Sequence, residues 1–302
     1  MDGVILFSDI LTPLPTMGIN FDITENGKIQ IDPIRTRDEL RSRLKLVTQQ
    51  DYEKACGFVG DVLQRLSTKI GIMKVDKDTK TKPTLLGFVG LPFTLVTYLV
   101  EGETGIKSNF ANIHQMIQDD PSLLKHILSI LTDNIIEYAC YQISNGAQII
   151  QVFDSWAGHV NDENYDKFAL PYQQKVINGI KRQYPNTPII IYMAPGPYSE
   201  NGQRLTKLID SGADVISVDH TIDMEVACKV IPSSICIQGN LNPQILRDGP
   251  LNEIKKQTLT ILDSINKNGR KGNHIMNLGH GILPDTPEEH VKYFVELVQQ
   301  NY

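Results

Sequence analysis

Met1-Asp-Gly-Val-Ile-Leu-Phe-Ser-Asp-Ile-Leu-Thr12 is the stretch on which the reading of this chain turns. Val4 to Phe7 form a short, unbroken apolar run, and the polar pair Ser8 and Asp9 stops it. Such runs read as strands buried on both faces. In a parallel α/β barrel the working groups sit at the carboxyl ends of the strands, which makes Asp9 the first candidate. An Asp here also commonly closes a turn on its own side chain. Position alone favours that structural reading; matching residues further along reverse it.

Working outward, seven strand candidates stand at 3–8, 84–89, 147–153, 188–193, 214–218, 234–238 and 273–277. Helical patterns separate them. The segment from Thr12-Pro-Leu-Pro-Thr16 to Pro33 reads as loop and polar sequence, and Thr36-Arg-Asp-Glu39 as a capping box. Residues 50–70 keep a helical spacing, and Lys74 to Lys82 reads as a charged loop. Asp120-Pro121 opens a helix with a capping side chain and a proline at its first position, and Asn145-Gly146 ends it. Further helices are expected at 165–183, from Gln203 to Ser211-Gly212, at 250–266 and after Thr286-Pro-Glu-Glu289. Regular β/α alternation implies parallel strands with right-handed crossovers. Seven or eight such units favour a closed barrel over an open doubly wound sheet. No phosphate-binding glycine fingerprint follows the first strand. The expectation is one α/β barrel domain over residues 1–302.

The bulk numbers fit. With 302 residues, 41% hydrophobic and 21% charged, the chain can bury a large core. A net charge of −6 argues against a nucleic-acid partner, whose footprint would be basic. Cys56, Cys140, Cys228 and Cys236 form no C-x-x-C pair, so no disulfide framework or zinc knuckle is expected. Cys140 and Cys236 lie in apolar runs and read as buried thiols. Pro83 to Val100 is uncharged and long enough to test as a membrane span. Pro83, Gly87, Gly90 and Pro92 break it, so a strand, a turn and a helix start explain it better. No secretory or transit signal is evident. A cytoplasmic location is expected, with a plastid as the alternative if a targeting segment precedes Met1.

Nearly every strand ends in polar or glycine-rich sequence: Asp9, Gly87 to Tyr98, Asp154-Ser155, Asp219-His220, Asn240 and Asn242, and Gly279-His280-Gly281. Each has a plain structural reading. Ser155 can cap a helix, Tyr98 can be a half-buried helix aromatic, and His280 can bond the backbone of a tight turn. In a barrel, however, these ends share one face.

Gly87-Phe-Val-Gly-Leu-Pro-Phe-Thr-Leu-Val-Thr-Tyr-Leu-Val-Glu-Gly102 resembles a signature of the uroporphyrinogen decarboxylase family. The resemblance extends through Phe7-Ser-Asp-Ile-Leu11, Gln151-Val-Phe-Asp-Ser-Trp-Ala-Gly158, Lys167-Phe-Ala-Leu-Pro-Tyr172, Gly239-Asn-Leu-Asn-Pro243 and Asn277-Leu-Gly-His-Gly281, in the family's order. It implies a distorted (β/α)8 TIM barrel, usually homodimeric. The implied activity, which needs no cofactor, is removal of carbon dioxide from the four acetate side chains of uroporphyrinogen III, giving coproporphyrinogen III. Asp9 is then the carboxylate that faces the pyrrole N–H groups and stabilises the protonated ring. Tyr98, Ser155 and His280 match substrate-binding positions.

There are departures. The family has an Arg-rich segment ahead of the Phe7–Leu11 block, whose arginines hold substrate carboxylates. Here Met1 stands just before the first strand, and Arg35, Arg37 and Arg41 follow it and do not match. The expectation is an N-terminally shortened form or fragment of a longer enzyme, and the missing segment could also hold an eighth barrel element. The alternative is a porphyrinogen-binding remnant without turnover. Ser217-Val-Asp-His220 stands where the family usually has a Trp, Asn242 replaces an Asp, and the loop at 194–202 is longer than usual. A zinc methyltransferase of the same superfamily is disfavoured, because no histidine stands two residues before a cysteine.

Overall fold

The computed structural model describes residues 2–25, 28–72, 82–106, 108–199 and 202–301. Two compact units emerge, Met1–Ala157 with Asn161–Ile189, and Gly158–Val160 with Ile190–Tyr302.

The first unit contains β1 (Gly3–Ile5), a hairpin of β2 (Phe21–Ile23) and β3 (Ile29–Ile31), β4 (Thr84–Gly90) and β5 (Ile149–Phe153). Its helices are α1 (Arg37–Arg43), α2 (Gln49–Ile72), α3 (Pro92–Glu101), α4 (Ala111–Asp119), α5 (Pro121–Ser144), α6 (Asp162–Phe168) and α7 (Leu170–Gln183). β1, β4 and β5 run parallel, with Val4 opposite Leu85 and Leu86 opposite Ile149. The second unit carries β6 (Ile189–Tyr192, beginning at the boundary), β7 (Val215–Ser217), β8 (Cys236–Gln238) and β9 (His274–Ile275) in parallel register. Its helices are α8 (Leu205–Ile209), α9 (Met224–Val230), α10 (Pro243–Asp248), α11 (Leu251–Lys267) and α12 (Glu288–Asn301). All seven expected strands are present, and helices alternate with them as in an α/β barrel.

Local chemistry explains the elements. Thr36 and Glu39 form the expected capping box of α1. Asp120 caps α5, whose Leu124, Ile127, Leu128, Leu131 and Ile135 are wholly buried. Each such side chain contributes about 1.5–3 kcal/mol of burial free energy. Pro83 to Val100 is a strand, a turn and a helix, and among the described residues no helix is long and apolar enough to cross a membrane.

Four expectations need correction. β1 is not buried on both faces: Ile5 and Phe7 are exposed, because β1 pairs only with β4 among the described strands of its unit. The helix expected at 165–183 is two, α6 and α7, since Pro171 cannot donate to the preceding turn. The polar segment before Pro33 holds the hairpin β2–β3. Cys236 is half-buried, while Cys140 is fully buried, and all four cysteines are free thiols. The charged loop expected at 74–82 lies outside the described residues except for Lys82.

Candidate active site

Asp9 lies beyond the end of β1 and is exposed. Its Oδ1 accepts the Leu11 N–H at 2.8 Å, and its carbonyl accepts the Thr12 N–H at 3.0 Å and the Thr12 hydroxyl at 2.6 Å. The local-turn reading is therefore realised, but it engages one carboxylate oxygen only. Oδ2 has no hydrogen-bond partner among the described residues. The carboxylate is oriented by the backbone and still open as an acceptor. Two residues earlier Phe7, 87% exposed, stacks on Phe88 with centroids 6.4 Å apart, and Phe88 meets Phe153 edge-on at 5.8 Å.

Tyr98 lies on α3, all ten residues of which are buried. Burial first, and the charge of Asp9 second, push the Tyr98 hydroxyl up to about 12, and the polar edge of Trp156 opposes the shift. Asp9 and Tyr98 are thus brought into electrostatic contact, and the phenol stays a neutral donor at physiological pH. The Trp156 ring packs 6.0 Å from Tyr98 and 5.5 Å from Phe110.

The start of α3 explains how Tyr98 and Trp156 are held. Leu91 occupies the N-cap position and offers no side-chain acceptor. Asp154, at the end of β5 and fully buried, fills that role from 60 residues away. Its Oδ1 accepts the Thr94 N–H at 3.1 Å and the Thr94 hydroxyl at 2.8 Å, and its Oδ2 accepts Gln173 Nε2 at 2.7 Å. Tyr165 donates to Gln173 Oε1 at 2.9 Å, and the Trp156 N–H donates to Thr94 Oγ1 at 3.2 Å. Burial pushes the Asp154 carboxyl up to about 6, while its donors from Gln173 and Thr94 oppose the shift. Ser155, between Asp154 and Trp156, is half-buried and caps no described helix. Its hydroxyl has no hydrogen-bond partner among the described residues.

The strand ends of the second unit form their own polar cluster. His280 is exposed, with the Tyr192 ring edge-on at 6.3 Å. Tyr192 donates to the Gly279 carbonyl at 3.3 Å, and its own hydroxyl is pushed above the usual phenol range by burial and then by Asp219. A Cβ at Gly279 would lie 2.3 Å from the His220 backbone nitrogen, so the turn before His280 admits only glycine. The Asp219 carboxylate accepts the Thr221 N–H at 2.7 Å and the Thr221 hydroxyl at 2.5 Å. Asn240 ties the Asp219 and Ile222 carbonyls together at 2.8 and 2.7 Å. Asn242 caps α10, accepting the Gln244 N–H at 2.8 Å, a role that Asp would fill equally.

Sequence reading singled out Asp9, Tyr98, Ser155 and His280. It missed Thr94 and Gln173. Thr94 stands four residues before Tyr98, on the same helix face, and that spacing was a usable signal. Arg35 proves to be engaged: its Nε donates to the Val100 carbonyl at 2.9 Å, at the end of α3. Among the described residues no three His, Cys, Asp or Glu side chains gather as a metal-holding group.

Residues 1–301 match the family model described as Uroporphyrinogen decarboxylase (URO-D). The chain belongs to the uroporphyrinogen decarboxylase family. Uroporphyrinogen decarboxylase of Prochlorococcus marinus (strain AS9601) is 46% identical over 297 residues, covering 98% of this chain and 78% of that one. The same enzyme of strain NATL1A is 44% identical, over 98% of this chain and 77% of its own length. A solved structure described as a methyltransferase from Methanosarcina mazei superposes with a TM-score of 0.73 over 99% of this chain and 80% of that one, at 19% identity. A B12-independent methionine synthase from Shewanella sp. W3-18-1 gives 0.52 over 94% and 73%, at 13% identity. These two likenesses concern the fold alone. The decarboxylase relatives, not the methyltransferases, carry the sequence identity, so the methyltransferase alternative is not favoured.

Proposed function

We propose that this chain is a carboxy-lyase that decarboxylates the four acetate side chains of uroporphyrinogen III to give coproporphyrinogen III, in tetrapyrrole biosynthesis. The observation that carries the reading is Asp9. Its carboxylate is fixed at one oxygen, open at the other, and electrostatically coupled to a buried neutral tyrosine. Breaking the bond to carbon dioxide leaves an electron pair on the acetate methylene. A protonated pyrrole ring accepts that pair, and a carboxylate facing its N–H groups stabilises the cation; a proton then adds to the methylene to give the methyl group, and the ring gives up the proton it had taken. Asp9 takes that role. Tyr98 and Ser155 bind substrate beside it, each with a hydroxyl suited to a carboxylate or pyrrole partner, and His280 binds substrate as well. The chain works as one barrel domain over residues 1–302, as a homodimer in the cytoplasm, and needs no cofactor.

An anaerobic assay with uroporphyrinogen III, resolving products by carboxylate number, tests the reading. Products with seven to four carboxylates are expected. A folded chain that forms none of them overturns it. Sedimentation at micromolar concentration tests the dimer, where a single monomer boundary counts against it.

A further inference from the structure

We infer that Asp154 is a positioning residue for this reaction, acting through Thr94 to fix Ser155 and Trp156 against Tyr98. The inference rests on the decarboxylase reading above and adds two residues, Asp154 and Thr94, to which no role was given there.

The geometry carries it. Asp154 joins three elements: its own β5, the first turn of α3 through the Thr94 N–H and hydroxyl, and α7 through Gln173. Thr94 Oγ1 is the pivot. It donates its O–H to Asp154 and, with a lone pair, accepts the Trp156 backbone N–H. The backbone on either side of Ser155 is therefore pinned, at Asp154 by its side chain and at Trp156 by its amide. Both pins meet on Thr94, one helical turn from Tyr98. Thr94 is wholly buried, so no water competes for these bonds. The orientation of Gln173, donating to Asp154 and accepting from Tyr165, matches an ionised carboxylate with acceptors only. Asp154 and Thr94 are both wholly buried, so neither side chain is open to substrate, which separates positioning from catalysis.

Thr94→Val tests the pivot. Valine has the same shape but lacks both hydrogen bonds of the hydroxyl, while Thr94→Ser keeps them. Trp156 is the sole tryptophan of the chain, so its emission reads this site alone. For Thr94→Val the expected result is a KM for uroporphyrinogen raised about tenfold, the size of the one substrate hydrogen bond that a displaced Ser155 would lose. Its kcat should stay within about twofold of the parent, because the interactions lost hold substrate and transition state alike. Trp156 emission should shift, and Thr94→Ser should match the parent in both respects. Asp154→Asn, which sets an amide N–H against Gln173, should move KM and emission in the same direction as Thr94→Val. Unchanged KM and emission in Thr94→Val overturn the inference. So does a fall in kcat alone, which marks only a smaller folded fraction. If the parent chain does not turn over uroporphyrinogen, the decarboxylase reading fails, and the emission of the Val and Ser variants still decides the positioning.

Discussion

Asp9→Asn isolates the charge that the proposed reaction needs. Asparagine retains an oxygen for the Leu11 N–H, so the turn that follows β1 survives. It removes the negative charge and little else. A unit charge about 4 Å from the carboxylate interacts by about 1 kcal/mol in bulk water and about 4 kcal/mol at an effective dielectric near 20. These correspond to roughly fivefold and roughly a thousandfold in rate. Asp9 is exposed, but Phe7, two residues away, stacks on Phe88, and a bound tetrapyrrole would cover the carboxylate and exclude water. The low-dielectric figure then applies, and kcat should fall by about a thousandfold in the anaerobic assay. Thermal stability should change by no more than about 0.5 kcal/mol, as for an exposed site. An ultraviolet titration gives a reading independent of turnover. Tyr98 should titrate at lower pH in the variant, because the Asp9 charge that helps hold its hydroxyl near 12 is gone. A folded variant that loses less than about fivefold in kcat would refute the electrostatic role.

Three further outcomes are expected. His280→Asn should raise KM by severalfold with kcat nearly unchanged if the exposed imidazole has the proposed binding role; a collapse of kcat would argue for a role in the chemistry itself. Gly279→Ala should cost about 1–3 kcal/mol in thermal unfolding, since its Cβ would press on the His220 backbone, whereas Gly281→Ala, with nothing within 4 Å, should be neutral. Burial holds the His274 ring down at about 4, with Nε2 against the Gly239 carbonyl. Its contribution is thus full above pH 6.5, the unfolded value, and is lost as pH falls from there toward 4. Asp154 has the opposite slope: its folded value near 6 exceeds the unfolded 3.8, so its contribution is full below 3.8 and is lost as pH rises to 6. Thermal unfolding between pH 4 and 6.5 should therefore become more acid-sensitive in Asp154→Asn; an unchanged profile would remove Asp154 from that balance.

The fold was largely legible because its strands are short, continuous apolar runs, each closed by a polar residue or glycine. Ile150, Val152 and Ile189 to Ile191 are buried as that pattern requires. The burial of β1 was not legible, since an apolar run looks the same in mid-sheet and at an edge. Nor was the hairpin: β2 and β3 have three residues each, too few to show a period, although Asn26-Gly27 between them is a hairpin signal. Four site candidates were named from resemblance, but the network around Tyr98 and Ser155 was out of reach. Asp154 stands 60 residues from Thr94 and 19 from Gln173, and no local pattern joins such partners.

That separation bears on how the chain acquires its fold. A helix normally carries the acceptor for its first turn in its own sequence and can begin to wind alone. α3 cannot, because its acceptor arrives only when β5 docks. Its first turn must fray in any partly folded species, and the amide of Thr94 should exchange with solvent only on opening of the larger unit. The tyrosine-bearing helix is thus a late assembly: until β5 has docked, a chain holds Asp9 and Tyr98 without their arrangement.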